Sequence, residues 1–272
     1  MIENPPLIQI KKIKPENKPT SEQIALFQNV PTGFICDALE GYAALNGDIK
    51  LLDDSDKKLH VVGSALTVDS GAADVLGMQI VLNEIKTNDI IVNTVNGWQE
   101  TASVGDSIIG MIRNNGGKAI VTDGPIRDYN GVIETKVPCF CTGINPNSPY
   151  NSGPAKIGFP ITIGGMSVKS GDLIVGDIDG VAVVPFERID EIAQKVQRVS
   201  EIEKGRDAEV QNGLKIPQKI VELINSDKVK YYDQLDIIFA SVTFCKRSKS
   251  ICSHISFSLN PSDVTSKIAK LE

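Results

Sequence analysis

Two short segments hold the side chains with the most chemistry to offer. One is Asp123-Gly124-Pro125-Ile126-Arg127-Asp128, in which an arginine sits beside a carboxylate just after a short apolar run. The other is Gly105-Asp106-Ser107-Ile108, which opens a helical pattern, with 20 residues between Asp106 and Arg127. The first amides of a helix have no partner in the helical ladder and face an anion with a favourable dipole. An arginine supplies fixed donors for a carboxylate, and a carboxylate can accept a proton. Converged, these groups would form an anion cradle with an arginine and spare carboxylates. As an isolated dipeptide Arg-Asp is more often a surface ion pair of little energetic weight, so the elements on either side decide its meaning.

Those elements alternate. Residues 60–68 predict a strand, 72–86 a helix with Val75, Met78, Leu82 and Ile85 on one face, and 89–95 a buried β-branched strand. The order repeats as a helix over 107–115, stopped by Gly116-Gly117, and a strand over 118–122. In open α/β sheets the loop that leaves the carboxyl end of a strand is the usual ligand site, and both candidate segments are such loops. Upstream, 21–41 has helical spacing interrupted at Pro31. Downstream, 138–142 and 160–168 read as strands, 171–185 as a hairpin around Asp177-Ile178-Asp179-Gly180, and 187–211 as the longest helix. The class is α/β with a sheet that is not simply parallel.

Composition narrows the chemistry. The 272 residues carry 28 Lys+Arg against 34 Asp+Glu, a net charge of −6, without a basic stripe, so nucleic acid is not an expected partner. Two histidines, His60 and His254, are too few for a His-rich zinc site. Five cysteines without a Cys-x-x-Cys pair suggest neither a disulfide framework nor a zinc ribbon. Cys36, Cys139 and Cys141 read as small core residues. The cofactor signatures Gly-x-Gly-x-x-Gly and the P-loop are missing, as is the Gly-x-Ser-x-Gly elbow. Residues 1–20 form an extended lead-in without an apolar core of signal-peptide length, and no apolar run reaches the ~20 residues of a membrane span. The expectation is a cytoplasmic protein with no membrane partner.

The residues also carry a family resemblance. Gly63-Ser64-Ala65, Gly105-Asp106, the Asp-x20-Arg-Asp spacing ending at Arg127-Asp128, Pro138, Gly143, Gly164-Gly165, Gly171-Asp172 and Asp177-x-Asp179-Gly180-Val181 resemble the RraA-like family over residues 21–233. That family holds metal-dependent 4-hydroxy-4-methyl-2-oxoglutarate / 4-carboxy-4-hydroxy-2-oxoadipate aldolases and a regulator of ribonuclease E activity. The resemblance implies a single domain with a β/β/α swivelling-type sandwich. It also implies a homotrimer or hexamer with an inter-subunit site. Residues 234–272 lie outside it, as a tail of unassigned structure.

By the same resemblance Asp128 binds a divalent metal, Arg127 contacts the pyruvyl end of a small 2-oxo acid, and Gly105, Asp106, Ser107 and Ile108 hold its carboxylate. Glu203 would reach the metal's waters from a neighbouring subunit. An acid at 106 is the mark of the aldolase members. One carboxylate with water at the remaining positions suits Mg2+ or Mn2+. The implied reaction is cleavage of a 4-hydroxy-2-oxo acid to pyruvate through a metal-stabilised enolate, with oxaloacetate decarboxylation beside it and no Schiff-base lysine. The base would be a water or hydroxide held by Asp106 and the metal, supported by Glu203. The alternatives are a non-catalytic regulator that binds a ribonuclease or helicase, and a metal-binding scaffold without activity.

Overall fold

The computed structural model describes residues 6–232. In chain order the elements are β1 (Ile8–Ile10), α1 (Ser21–Leu26), α2 (Thr32–Ala38), β2 (Lys50–Leu51), β3 (His60–Asp69), α3 (Leu76–Ile80), β4 (Asp89–Thr94), α4 (Asp106–Asn114) and β5 (Ala119–Thr122). There follow α5 (Tyr129–Thr135), β6 (Cys139–Cys141), β7 (Ala155–Ile157), β8 (Ile161–Ile163), β9 (Met166–Val168), β10 (Leu173–Asp177), β11 (Gly180–Val184), α6 (Ile189–Gln211) and α7 (Gln218–Ile224). One compact unit ends at Ala208 and a second begins at Glu209.

Four parallel strands, β3 to β6 in that order, form the centre of a nine-stranded sheet. β3 is long enough to pair antiparallel with β10 through His60–Ser64 and with β7 through Val68 and Asp69. Side chains on these strands alternate between two cores, as a pleat requires. Ile91, Ile120, Cys139 and Cys141 face α3, α4 and α5, packing with Met78, Ile109, Ile112 and Val132. Ile90, Val92, Val121 and Phe140 face the opposite way, onto Ile161 and Ile163 of β8 and Val181 and Val183 of β11. The far side of β10 and β11 presents Leu173, Val175, Ala182 and Val184 to α1, α2 and the first half of α6. The result is a β/β/α sandwich in which continuous apolar runs on β4 and β5 are explained by burial on both faces.

Several expectations need correction. The single strand predicted over 160–168 is two strands, because Gly164 and Gly165 both take positive φ (52° and 80°) and fold the segment into a hairpin. The helix predicted over 72–86 is shorter, Leu76–Ile80 followed by a 3-10 turn at Val81–Asn83. Asp74 fixes its start by accepting from the Leu76 amide at 2.8 Å, while its other oxygen takes the amides of Ser152 and Gly153. Within the lead-in, β1 is an edge strand paired in parallel with β7, and Pro15–Asn17 form a 3-10 turn. Lys18 from the same segment places its Nζ 2.6 Å from Asp89, whose side chain is almost wholly buried. Burial still pushes the Asp89 carboxyl above the usual range, against the downward pull of Lys18. Helix α5, absent from the sequence reading, spans seven residues after Asp128. Cys36, Cys139 and Cys141 are free thiols, and the latter two are buried. Cys245, Cys252 and His254 lie outside the described residues, as does the tail.

Candidate active site

The site is assembled by backbone pairing beyond the ends of β4, β5 and β6. Val104 bridges Ile126, and Ile126 bridges Ile144, each in parallel sense. The Arg127 amide donates to the Val104 carbonyl at 3.1 Å and the Ile126 amide to the Gly143 carbonyl at 2.9 Å. These short extensions carry Gly105 alongside Arg127 and Asp128, although 20 residues separate Asp106 from Arg127. Asp123 holds the two loops together. Its carboxylate accepts from Thr94 Oγ1 and the Val95 amide, both at 2.7 Å, and from the Gly97 amide at 3.1 Å. Asp123 therefore positions the loops, and its carboxylate is committed.

Gly105 is the N-cap of α4 and Asp106 its first residue. Asp128 is the N-cap of α5 and holds φ 62°, a left-handed conformation that a short polar residue tolerates and that recurs where function fixes a side chain. Asp128 packs over Gly105 so closely that a Cβ there would lie 2.5 Å from its Oδ2. Reciprocally, Asp106 packs over Gly131 of α5. Arg127 Nε lies 3.3 Å from Asp128 Oδ2, with both side chains about two-fifths exposed, and Arg127 Nη1 donates to Ser148 Oγ at 2.6 Å.

Arg127, Asp128, Gly105, Asp106, Ser107 and Ile108 line one cleft of about 310 Å³. The expected anion cradle is altered in one respect. Asp106 Oδ1 turns back to accept from the Ser107 amide and from the Ser107 hydroxyl, the latter at 3.2 Å. Of the Ser107 and Ile108 amides in the first turn of α4, that leaves Ile108's without a side-chain partner among the described residues. Glu203 projects from the second half of α6 and does not line this cleft. Ser148, Val75, Gln79 and Met111 do, or contact its members, without a motif that marks them in the sequence.

The donor set fits a particular kind of cation. No group of three or more His, Cys, Asp or Glu capable of enclosing a metal occurs among the described residues. A closed tetrahedral zinc site therefore does not match. The exposed carboxylate of Asp128, in a cleft that Asp106 also lines, is a donor that could hold a hard cation retaining most of its water, such as Mg2+ or Mn2+.

Comparison with known proteins agrees with this architecture. The family model described as "RraA-like: Aldolase/RraA" matches residues 32–183. A protein of Halalkalibacterium halodurans named "Putative 4-hydroxy-4-methyl-2-oxoglutarate aldolase" is 34% identical over 191 residues, covering 70% of this chain and 90% of that one. The crystal structure of Streptomyces coelicolor RraAS2, described as an unusual member of the RNase ES inhibitor RraA protein family, is 27% identical with a TM-score of 0.62, covering 70% of this chain and 99% of its own. An uncharacterized protein from Pseudomonas syringae pv. tomato shares the fold with a TM-score of 0.64 at 24% identity, covering 72% and 96%.

Proposed function

The chain belongs to the RraA-like family of aldolases and RraA proteins, and from that premise we propose that it is a divalent-metal-dependent lyase. Its substrates would be 4-hydroxy-2-oxo acids such as 4-hydroxy-4-methyl-2-oxoglutarate, cleaved to pyruvate and a second oxo compound, with decarboxylation of oxaloacetate as a side activity. The observation that carries this reading is the convergence of Asp106, Arg127 and Asp128 on one cleft at the start of α4.

In this reading Asp128 holds the cation, whose contribution when bound is to draw negative charge toward the 2-oxo group. Arg127, oriented by Ser148, binds the keto acid end through its planar donors. The Ile108 amide and the α4 dipole bind the substrate carboxylate. Asp106 orients the water that takes the proton of the 4-hydroxyl. Cleavage of C3–C4 then leaves the electron pair on the pyruvyl fragment, where Arg127 stabilises the developing oxyanion.

Glu203 would act from a neighbouring subunit of a trimer or hexamer. In support, the second half of α6 leaves Ile202 61% exposed beside Glu203, whereas the buried residues of this helix are Ile189, Ile192, Ala193 and Val196. The test is release of pyruvate from oxaloacetate and from 4-hydroxy-4-methyl-2-oxoglutarate with Mg2+ or Mn2+, and its loss on adding EDTA. A second reading, a regulator acting by protein contact, draws on the likeness to RraAS2. Metal-independent silence on both substrates together with ribonuclease binding would favour it.

A further inference from the structure

Four polar side chains are buried where the central strands end. Ser70 follows β3, Asn93 lies in β4, Thr122 is the last residue of β5, and Ser103 precedes the bridge at Val104. None is more than 1% exposed. Asn93 and Thr122 pair in register, just beyond the apolar runs Ile90–Val92 and Ala119–Val121. Polar groups so placed cost free energy unless they are hydrogen-bonded, and these bond to one another. Ser70 Oγ donates to Asn93 Oδ1 at 2.7 Å and Asn93 Nδ2 to Thr122 Oγ1 at 3.5 Å. Thr122 Oγ1 donates to Ser103 Oγ at 3.3 Å, and Ser103 Oγ to the Pro125 carbonyl at 2.9 Å. Each group donates to the next, and the last acceptor is a backbone atom two residues before Arg127.

Two further bonds close the arrangement. The Ser103 amide donates to the same Pro125 carbonyl at 2.7 Å, and the Gly124 amide donates to Thr122 Oγ1 at 3.2 Å. Proline has no N–H to offer, so the Gly124 amide and the Pro125 carbonyl are the backbone groups by which this turn can be held. Resting on the lyase reading above, we infer that Thr122 and Ser103, backed by Asn93 and Ser70, are positioning residues that place Arg127 and Asp128 through the Gly124-Pro125 turn. The Asp123 carboxylate ties the turn to the loop after β4. The buried hydroxyls tie it to the strands themselves. Every link lies within one chain, so the support is complete before any neighbouring subunit joins.

The experiment makes two measurements on the full chain. Mn2+ is titrated in without substrate and followed by the EPR signal of the free ion, and kcat for pyruvate release is measured at saturating Mg2+. Thr122→Val keeps the side-chain shape but removes the hydroxyl, leaving the Gly124 amide without its acceptor, and Thr122→Ser restores the hydroxyl. The control is Thr67→Val, which removes an equally buried hydroxyl that donates to the Phe159 carbonyl at 2.6 Å and does not line the cleft. Thr122→Val should lower kcat and weaken Mn2+ binding by about tenfold each. Thr122→Ser should recover most of both, and Thr67→Val should leave both near wild type. Ser103→Ala, which keeps the amide bond to Pro125, carries the same expectation as Thr122→Val and decides the question where that variant does not fold. Either value at the wild-type level in the variants lacking a hydroxyl, no recovery in Thr122→Ser, or an equal loss in Thr67→Val overturns the inference and leaves the lyase reading standing. A wild-type chain that releases no pyruvate overturns the lyase reading, and the inference with it.

Discussion

The carboxylate of Asp106 lies directly over the α-carbon of Gly131, so that a Cβ at 131 would overlap its Oδ2 and stand 2.8 Å from its own Cβ. Asp128 stands in the same relation to Gly105. Each acid at a helix start is thus seated on a glycine belonging to the other βα unit, which fixes both side chains at the mouth of the cleft. A Cβ at 131 would meet the Asp106 Cβ and Cγ as well as its Oδ2, so Gly131→Ala is expected to force α4 and α5 to shift locally and to displace Asp106. The lyase rate should fall by on the order of tenfold to a hundredfold, with a thermal midpoint lowered by the overpacking. Steady-state pyruvate release and a melting curve read the two effects separately.

Arg127 is held by Ser148 at 2.6 Å and faces Asp128. Arg127→Lys keeps the charge but loses the planar donors, and the rate should drop by on the order of a hundredfold. Ser148→Ala removes only the orienting bond, so a milder loss that appears mainly in KM is expected. Equal effects of the two substitutions on kcat would contradict these roles.

The ion pair of Lys18 and Asp89 ties the lead-in to the central sheet. Lys18→Met leaves a buried carboxylate without its partner and should cost about 3 kcal/mol at neutral pH. The sign with pH follows from the raised Asp89 carboxyl. An acid whose folded value lies above its unfolded value favours the fold when protonated, and that advantage is lost as pH rises through the folded value. The deficit of the variant should therefore shrink toward about pH 4, near the unperturbed value. Urea denaturation at both pH values checks it.

If Glu203 acts across a subunit boundary, Glu203→Gln and Asp128→Ala should each be nearly inactive alone, yet regain activity when mixed oligomers form. Mixing after dissociation and reassembly, followed by a pyruvate assay, tests this. Activity that stays at the sum of the two single variants would contradict a shared site.

The sequence shows the main chemistry of the cleft but not its scaffolding. β4 and β5 announce themselves as β-branched runs, and the acid and arginine after them stand at strand ends where ligands are usually bound. What periodicity cannot display is the bridge from Val104 to Ile126, a pairing of single residues between loops. Nor can it show that Ser148, in a loop with no regular pattern, meets Arg127. The hairpin at Gly164-Gly165 carried a turn signal, but the apolar residues on both sides merged into one apparent strand. Helix α5, only seven residues with Val132 and Thr135 as its buried positions, offers too few turns for a periodic signal. The edge strand β1 has no local signature, because its pairing with β7 is set by residues almost 150 positions away.

The most direct measurement is metal-dependent pyruvate release by the wild-type chain beside Asp128→Ala. The expected result is Mg2+- or Mn2+-dependent release by the wild type, abolished by EDTA, and reduced at least about a hundredfold in the variant with an unchanged melting curve. Undiminished metal-dependent release by Asp128→Ala would contradict the assignment of this cleft as the active site.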